Sequence, residues 1–195
     1  MLGSALLERS LAAEPDSKAF YRLTAAVAAT WVAGGAASGP LHLGRDLGGG
    51  RPVATPVALG AGAFGAFFGA ALVAREIPVL QRAISSVLDY ADEGSSPKVY
   101  LTTLVNGAAE EVLFRGALYT AVGQSHPVAV STAVYTATTL ATKNPALVLA
   151  AGVMGTLFGL QRRASGGIQA PLLTHVTWST LMLRFLPPLF RGRAH

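Results

Sequence analysis

Charged residues cut the chain into long apolar stretches. Between Arg22 and Arg45 lie 22 residues without Asp, Glu, Lys or Arg; between Arg51 and Arg75, 23; between Arg115 and Lys143, 27; between Lys143 and Arg162, 18; and between Arg163 and Arg184, 20. A helix rises 1.5 Å per residue and needs about 20 mostly apolar residues to cross a bilayer. The pattern therefore predicts an all-α fold: a polytopic membrane bundle of about six transmembrane helices plus a short amphipathic interfacial helix. The predicted spans are 20–39, 53–74, 98–122, 127–142, 145–161 and 169–187, within one membrane domain, 1–195, whose polar core lies at 98–187. Over 75–96, Leu80, Ile84, Val87 and Leu88 recur at helical spacing. They predict a surface-lying helix, ended by Asp89, Asp92, Glu93, Gly94 and Pro97. Residues 1–18 carry Glu8, Arg9, Glu14, Asp16 and Lys18 without an apolar run, which reads as an interfacial lead-in and not a signal peptide. The loop from Gly39-Pro40 to Arg51-Pro52 turns at Gly48-Gly49-Gly50.

Composition sharpens this class. Hydrophobic residues make up 51% of the chain and charged residues 13%, about half the charged share of a soluble domain. Cysteine is absent, which removes disulfide scaffolds, thiolate metal sites and cysteine nucleophiles. The net charge of +5 is spread between apolar runs, so no nucleic-acid partner is read from it. With the N-terminus inside, the inner segments hold Arg9, Lys18, Arg22, Arg75, Arg82, Lys98, Lys143, Arg184, Arg191 and Arg193, and the outer loops hold Arg45, Arg51, Arg162 and Arg163. That excess puts both termini in the cytoplasm and predicts an integral, multi-pass protein of a bacterial plasma membrane, with membrane lipid as its surroundings. The pairs Gly35/Gly39, Gly65/Gly69 and Gly155/Gly159 would let helices approach closely.

One span carries charges that need a reason. Glu110, Glu111 and Arg115 sit near the middle of 98–122. Each at the bilayer centre costs roughly 2.5–3.5 kcal/mol, and three unpaired on the order of 8–10 kcal/mol, as much as a whole domain's stability. They must pair or line a polar cavity. Glu111 and Arg115 are four apart, in the favourable order for an ion pair. Glu110 is rotated about 100° away, on a face with Thr103, Asn106 and Gly107. The reading is that Glu110 faces a hydrated cavity, where it can take a proton, while Glu111–Arg115 locks the helix. An ion-pair knot with Glu110 as spectator is the alternative. The 127–142 span offers Ser131, Thr132, Tyr135, Thr136, Thr138, Thr139 and Thr142, and the last span Thr174, His175, Thr177 and Ser179. His175 and Ser179 share a face. At 1.5 Å per residue Glu110 lies about 19 Å deep, Thr139 about 18 Å and His175 roughly 10–13 Å, compatible with one cavity. His175 could instead serve as a plain link between helices. His42, His126 and His195 read as solvated. Neither HExxH nor GxSxG is present, and a catalytic zinc wants about three protein ligands. Glu110, Glu111 and His175 would supply three only if Glu111 left Arg115, so no metal or cofactor is expected.

Glu110-Glu111-Val112-Leu113-Phe114-Arg115-Gly116 resembles the first motif, EExxxR, of the CPBP family of intramembrane proteases, which includes the CAAX prenyl-protein endopeptidases and the Abi proteins. His175-Val176-Thr177-Trp178-Ser179 resembles its third motif, HxxxN, approached through Gly166-Gly167-Ile168-Gln169-Ala170-Pro171. Gly155-Thr156-Leu157-Phe158-Gly159-Leu160 occupies the place of the preceding helix. The second motif, FxxxH, has its nearest match at Tyr135-Thr136-Ala137-Thr138-Thr139, with Tyr135 for Phe and Thr139 for His; Ser179 stands for Asn in the third. The resemblance implies an endopeptidase acting on a membrane-associated or prenylated peptide. It implies Glu110 as the base that activates water, Glu111 and Arg115 supporting it, His175 steadying the oxyanion, and Ser179 donating with a shorter reach than an amide. Losing an acid/base group costs about 10²–10⁴-fold in rate, and losing an oxyanion donor about 10²–10³-fold. Thr139 and Ser179 thus leave two outcomes: a weak enzyme, or a catalytically inactive relative that binds a partner or lipidated tail in the same cavity. A carrier using Glu110 as a proton relay is a third, less favoured because the two halves show no inverted repeat.

Overall fold

The computed structural model describes residues 2–14, 17–93 and 96–190. The expectations resting on Asp16, Gly94, Arg191, Arg193 and His195 lie outside the described residues. The described residues are mostly helical, with no strand among them. The helices are α1 (Leu2–Leu11), α2 (Lys18–Ala36), α3 (Ala54–Ala74), α4 (Pro78–Glu93), α5 (Ser96–Glu110), α6 (Tyr119–Val122), α7 (Pro127–Thr139), α8 (Pro145–Ser165), α9 (Gln169–Phe185) and α10 (Pro187–Phe190). Every predicted span has its helix. Two of them, α3 and α8, are long and apolar enough by themselves to cross a membrane. The 13 residues of α7 reach only about 20 Å at 1.5 Å each, and a 3₁₀ turn, Leu140–Thr142, completes the predicted 127–142 stretch.

The packing is inverted relative to a water-soluble bundle. The most apolar window of α3 has mean hydropathy 2.0, yet only 11% of it is buried. Leu101 on α5 is 64% exposed and Leu149 on α8 68%, and Val105, Val130, Val134, Val153 and Leu160 also face outward. Meanwhile Glu111, Arg115, Ser131, Gln161, Arg162, Thr174, His175 and Ser179 are buried. Apolar outside and polar inside suits a hydrocarbon solvent, in which polar groups must find partners within the protein.

Local chemistry starts and stops the helices. Ser17 accepts from the Phe20 amide at 3.0 Å and caps α2. Asn144 Oδ1 accepts from Ala146 N at 2.9 Å and Leu147 N at 3.2 Å, with Pro145 beginning α8 and Gly166 (φ 71°) ending it, the usual asymmetry of helix ends. The amide of Asn144 also donates to Ala83 O at 2.6 Å and Ser86 Oγ at 3.1 Å, so one side chain starts α8 and holds α4. The apolar stripe of α4 is docked rather than free: Ile84 and Leu88 pack with Ala71, Leu186 and Phe190. The lead-in helix α1 likewise lays Leu6 and Leu7 on Val27, Ala28, Trp31 and Ala109. The loop after α2 is stitched along the α8–α9 turn by Arg45 N to Ser165 O (2.8 Å) and Ile168 N to His42 O (2.8 Å). Of the small-residue pairs, Gly155 and Gly159 lie in the α7–α8 seam, where a Cβ would come within 3.2 Å of Thr132 and 2.9 Å of Val128, while Gly39, Gly65 and Gly69 face open space.

The predicted 98–122 helix is not uniform. After α5 the backbone widens into a π-helix over Glu111–Leu118 before α6 resumes the α form. Such widened turns occur mostly as short segments and often at functional sites.

Candidate active site

The π-helix carries the buried ion pair. Arg115 Nη1 donates to Glu111 Oε1 at 3.2 Å, and both side chains are wholly inaccessible. Arg115 Nη2 donates to Gly155 O at 3.2 Å, which the missing side chain at Gly155 permits. Its guanidinium also lies over the rings of Tyr135 (4.6 Å) and Phe158 (5.1 Å), a favourable placement for a delocalised cation. Arg162 Nε donates to the Arg115 carbonyl at 2.8 Å. The predicted Glu111–Arg115 lock is therefore present, but it has a further member. His175 Nδ1 lies 2.9 Å from the same Glu111 Oε1.

That contact fixes the chemistry of His175. A carboxylate already accepting from arginine is acceptor-only, so Nδ1 carries the hydrogen and donates. The ring is held on its faces as well. Phe158 stacks on it at 4.7 Å and 20°. A Cβ on Gly107 would sit 3.1 Å from Nε2 and 3.3 Å from Cδ2 and Cε1, so a side chain there would press on the imidazole. Nε2 is left as the ring's free nitrogen. The third motif is thus tied to the first through Glu111, whereas the resemblance implied that Glu111 supports Glu110.

Glu110 points elsewhere. Its Oε2 accepts from the Tyr135 hydroxyl at 2.8 Å. It lines a cavity of about 300 Å³ together with Asn106, Tyr135, Thr139, His175 and Ser179. The depth estimates that put Glu110, Thr139 and His175 in one cavity agree with this. Leu7, Phe20, Val87, Val99, Leu147 and Leu183 also line the cavity. The arrangement holds one carboxylate and one imidazole, each oriented by its own partner, facing a common space. Glu110 lines the cavity, while Glu111 is turned to Arg115 and His175.

Residues 93–181 match the model of the Rce1-like family, type II CAAX prenyl endopeptidases. That stretch, just under half of the chain, is similar to the family. It runs from the last residue of α4 into α9 and takes in all three motif positions. No curated protein and no solved structure matches the chain. Rce1-like proteins are membrane-embedded, in keeping with the apolar exterior described above.

Against the Rce1-like pattern, the first and third motifs meet across Glu111 and His175, and the second departs. The Thr139 hydroxyl donates to the Tyr135 carbonyl at 3.0 Å and is spent on its own helix. Of the polar residues in the predicted 127–142 span, Tyr135, Thr139 and Thr142 reach the cavity. Ser131 and Thr138 bond carbonyls of their own helix. Thr132 and Thr136 have buried, unbonded hydroxyls. In α9, Thr174 accepts from Gln161 Nε2 at 2.6 Å and donates to Pro56 O at 2.9 Å, joining α8, α9 and α3. Sequence reasoning missed the bond from Tyr135 to Glu110. The only trace of it was the hydroxyl added where the motif has Phe. Gln161 and Arg162 were missed too, and no spacing signal marked them. His42 and His126 are exposed, as read.

Proposed function

We propose that the protein is a multi-pass membrane endopeptidase of the CAAX type, six helices crossing the bilayer of a bacterial plasma membrane. Glu110 activates water against a peptide bond of a membrane-associated or prenylated substrate. The observation that carries this is the meeting of Glu110 and His175 on one cavity (each pinned by a separate partner) inside an Rce1-like stretch. The apolar residues of the cavity lining suit a lipid tail or an apolar peptide segment.

The chemistry follows from the bonds. Glu110 takes a proton from water as the water oxygen bonds to the scissile carbonyl carbon. With Tyr135 donating to one oxygen, the other is free for that proton. The carbonyl oxygen becomes an oxyanion facing the Nε2 side of His175. With Nδ1 held on Glu111, His175 donates from Nε2 when both ring nitrogens carry hydrogen. Ser179, whose hydroxyl bonds no protein group among the described residues, is a second donor. The C–N bond breaks as Glu110 returns its proton to the leaving nitrogen.

Turnover of a membrane-anchored, prenylated peptide by the purified protein in liposomes tests this directly. Glu110→Gln should reduce it by about 10²–10⁴-fold, and equal turnover in both would overturn the proposal. The bond that Thr139 makes to its own helix favours a second reading, an inactive relative that binds a lipidated tail. If hydrolysis appears only in Thr139→His, the binder reading is correct.

A further inference from the structure

Asn106 lies one turn before Glu110 on the same face of α5 and lines the same cavity. Its Oδ1 is buried without a hydrogen-bond partner, and nothing among the described residues bonds its amide nitrogen. The adjoining Gly107 rests on the imidazole of His175, which brings Asn106 to the wall where His175 and Ser179 stand. A buried polar group left unbonded costs about 1–3 kcal/mol, and folded proteins keep few of them. An idle carboxamide beside a reactive carboxylate therefore asks for a partner from outside the chain.

The third motif lacks its amide at Ser179, and here an amide without an assignment stands on the opposite helix. We propose that Asn106 supplies the missing donor, its Nδ2–H bonding the substrate's carbonyl oxygen as that oxygen gains charge. The assignment rests on the hydrolase reading above. It adds no proton transfer: water still gives its proton to Glu110, and Asn106 only donates a hydrogen bond. Rotation of the carboxamide by 180° exchanges its oxygen and nitrogen at little change in shape, so either edge can be turned to the substrate. A further unbonded donor on this wall, Trp178 Nε1, belongs to a ring set edge-on to Phe67 at 5.3 Å.

The test compares wild type with Asn106→Ala, Asn106→Asp, Ser179→Asn and the double variant Asn106→Ala/Ser179→Asn in the liposome cleavage assay, with thermal midpoints measured alongside. Asn106→Asp keeps the side chain's shape and removes the N–H, so it separates donation from packing. The proposal expects kcat to fall about 10²-fold in Asn106→Ala and in Asn106→Asp, with KM little changed. Placing an amide back at position 179 should recover at least roughly tenfold of that loss, which a merely structural asparagine would not allow. Wild-type kcat in Asn106→Asp, or a loss that Ser179→Asn does not relieve, would overturn it. Glu110→Gln is run in the same assay. If it is dead while Asn106→Ala is fully active, the hydrolase reading stands and only this assignment falls.

Discussion

Glu110 and Glu111 are neighbours in the chain and belong to different worlds. Around Glu111 the charges are paired: arginine and histidine share its Oε1, an arginine answers the Arg115 carbonyl, and aromatic rings cover the guanidinium, while Glu111 Oε2 and Arg115 Nε are buried without a partner among the described residues. Around Glu110 the groups are oriented but unfinished. One oxygen has a phenol, while Asn106, whose Oδ1 has no partner among the described residues, and Ser179 line the cavity. A charge-paired cluster shut away from solvent ties helices together, whereas polar groups that line a cavity can meet a ligand. The lesson is to look for chemistry where polar groups line a space, even when the charge-paired cluster next door is the more conspicuous.

The sharpest way to break this contrast is at its closed side. Glu111→Gln leaves Arg115 buried without its counter-ion and should lower stability by about 3–5 kcal/mol, read as a drop in thermal midpoint in detergent. Glu110→Gln should leave that midpoint near wild type while abolishing turnover. If both variants unfold alike, the two regions are one structural knot and the distinction fails.

A finer cut is Tyr135→Phe, which restores the motif's aromatic ring and removes only the hydroxyl at 2.8 Å from Glu110. A hydrogen bond to a charged group contributes about 1.5–3 kcal/mol. Turnover should therefore fall by roughly ten- to a hundredfold at nearly constant stability. An unchanged rate would mean that Glu110 is oriented by something other than Tyr135.

The smallest effect belongs to the rim, where Lys143 Nζ lies 2.7 Å from Glu8 Oε1 in full contact with solvent. The hydrogen bond from Lys143, and then its charge, hold the Glu8 carboxyl below its ordinary 4.5; the same bond holds the Lys143 amine above its ordinary 10.5. A lowered acid contributes stability above its ordinary value and loses it as pH falls through the lowered one. A raised base contributes below its ordinary value and loses it as pH rises through the raised one. The clasp between α1 and the α7–α8 turn is therefore complete between about pH 4.5 and 10.5. Exposed pairs are screened by salt and contribute little. Glu8→Gln should leave the thermal midpoint unchanged within error, and any effect should vanish at high salt. A large drop would show that α1 is a structural lid after all.

Much of the architecture was written in the spacing of charges. The charge-free runs marked α2, α3, α7, α8 and α9, the rhythm of Leu80, Ile84 and Leu88 marked α4, and the four-residue spacing favoured Glu111 as the partner of Arg115. These are local properties, set by the rise of a helix and the free energy of a side chain in its solvent, and they can be read from residues a few positions apart. What only the tertiary structure decided is who meets whom across helices: that His175 goes to Glu111, that Tyr135 and not Thr139 reaches Glu110, that Thr132 and Thr136 turn away from the cavity, and that the backbone widens at Glu111. Those outcomes depend on how helices cross and how a π turn rotates one wall against the next. Periodicity along a single helix carries no term for that rotation.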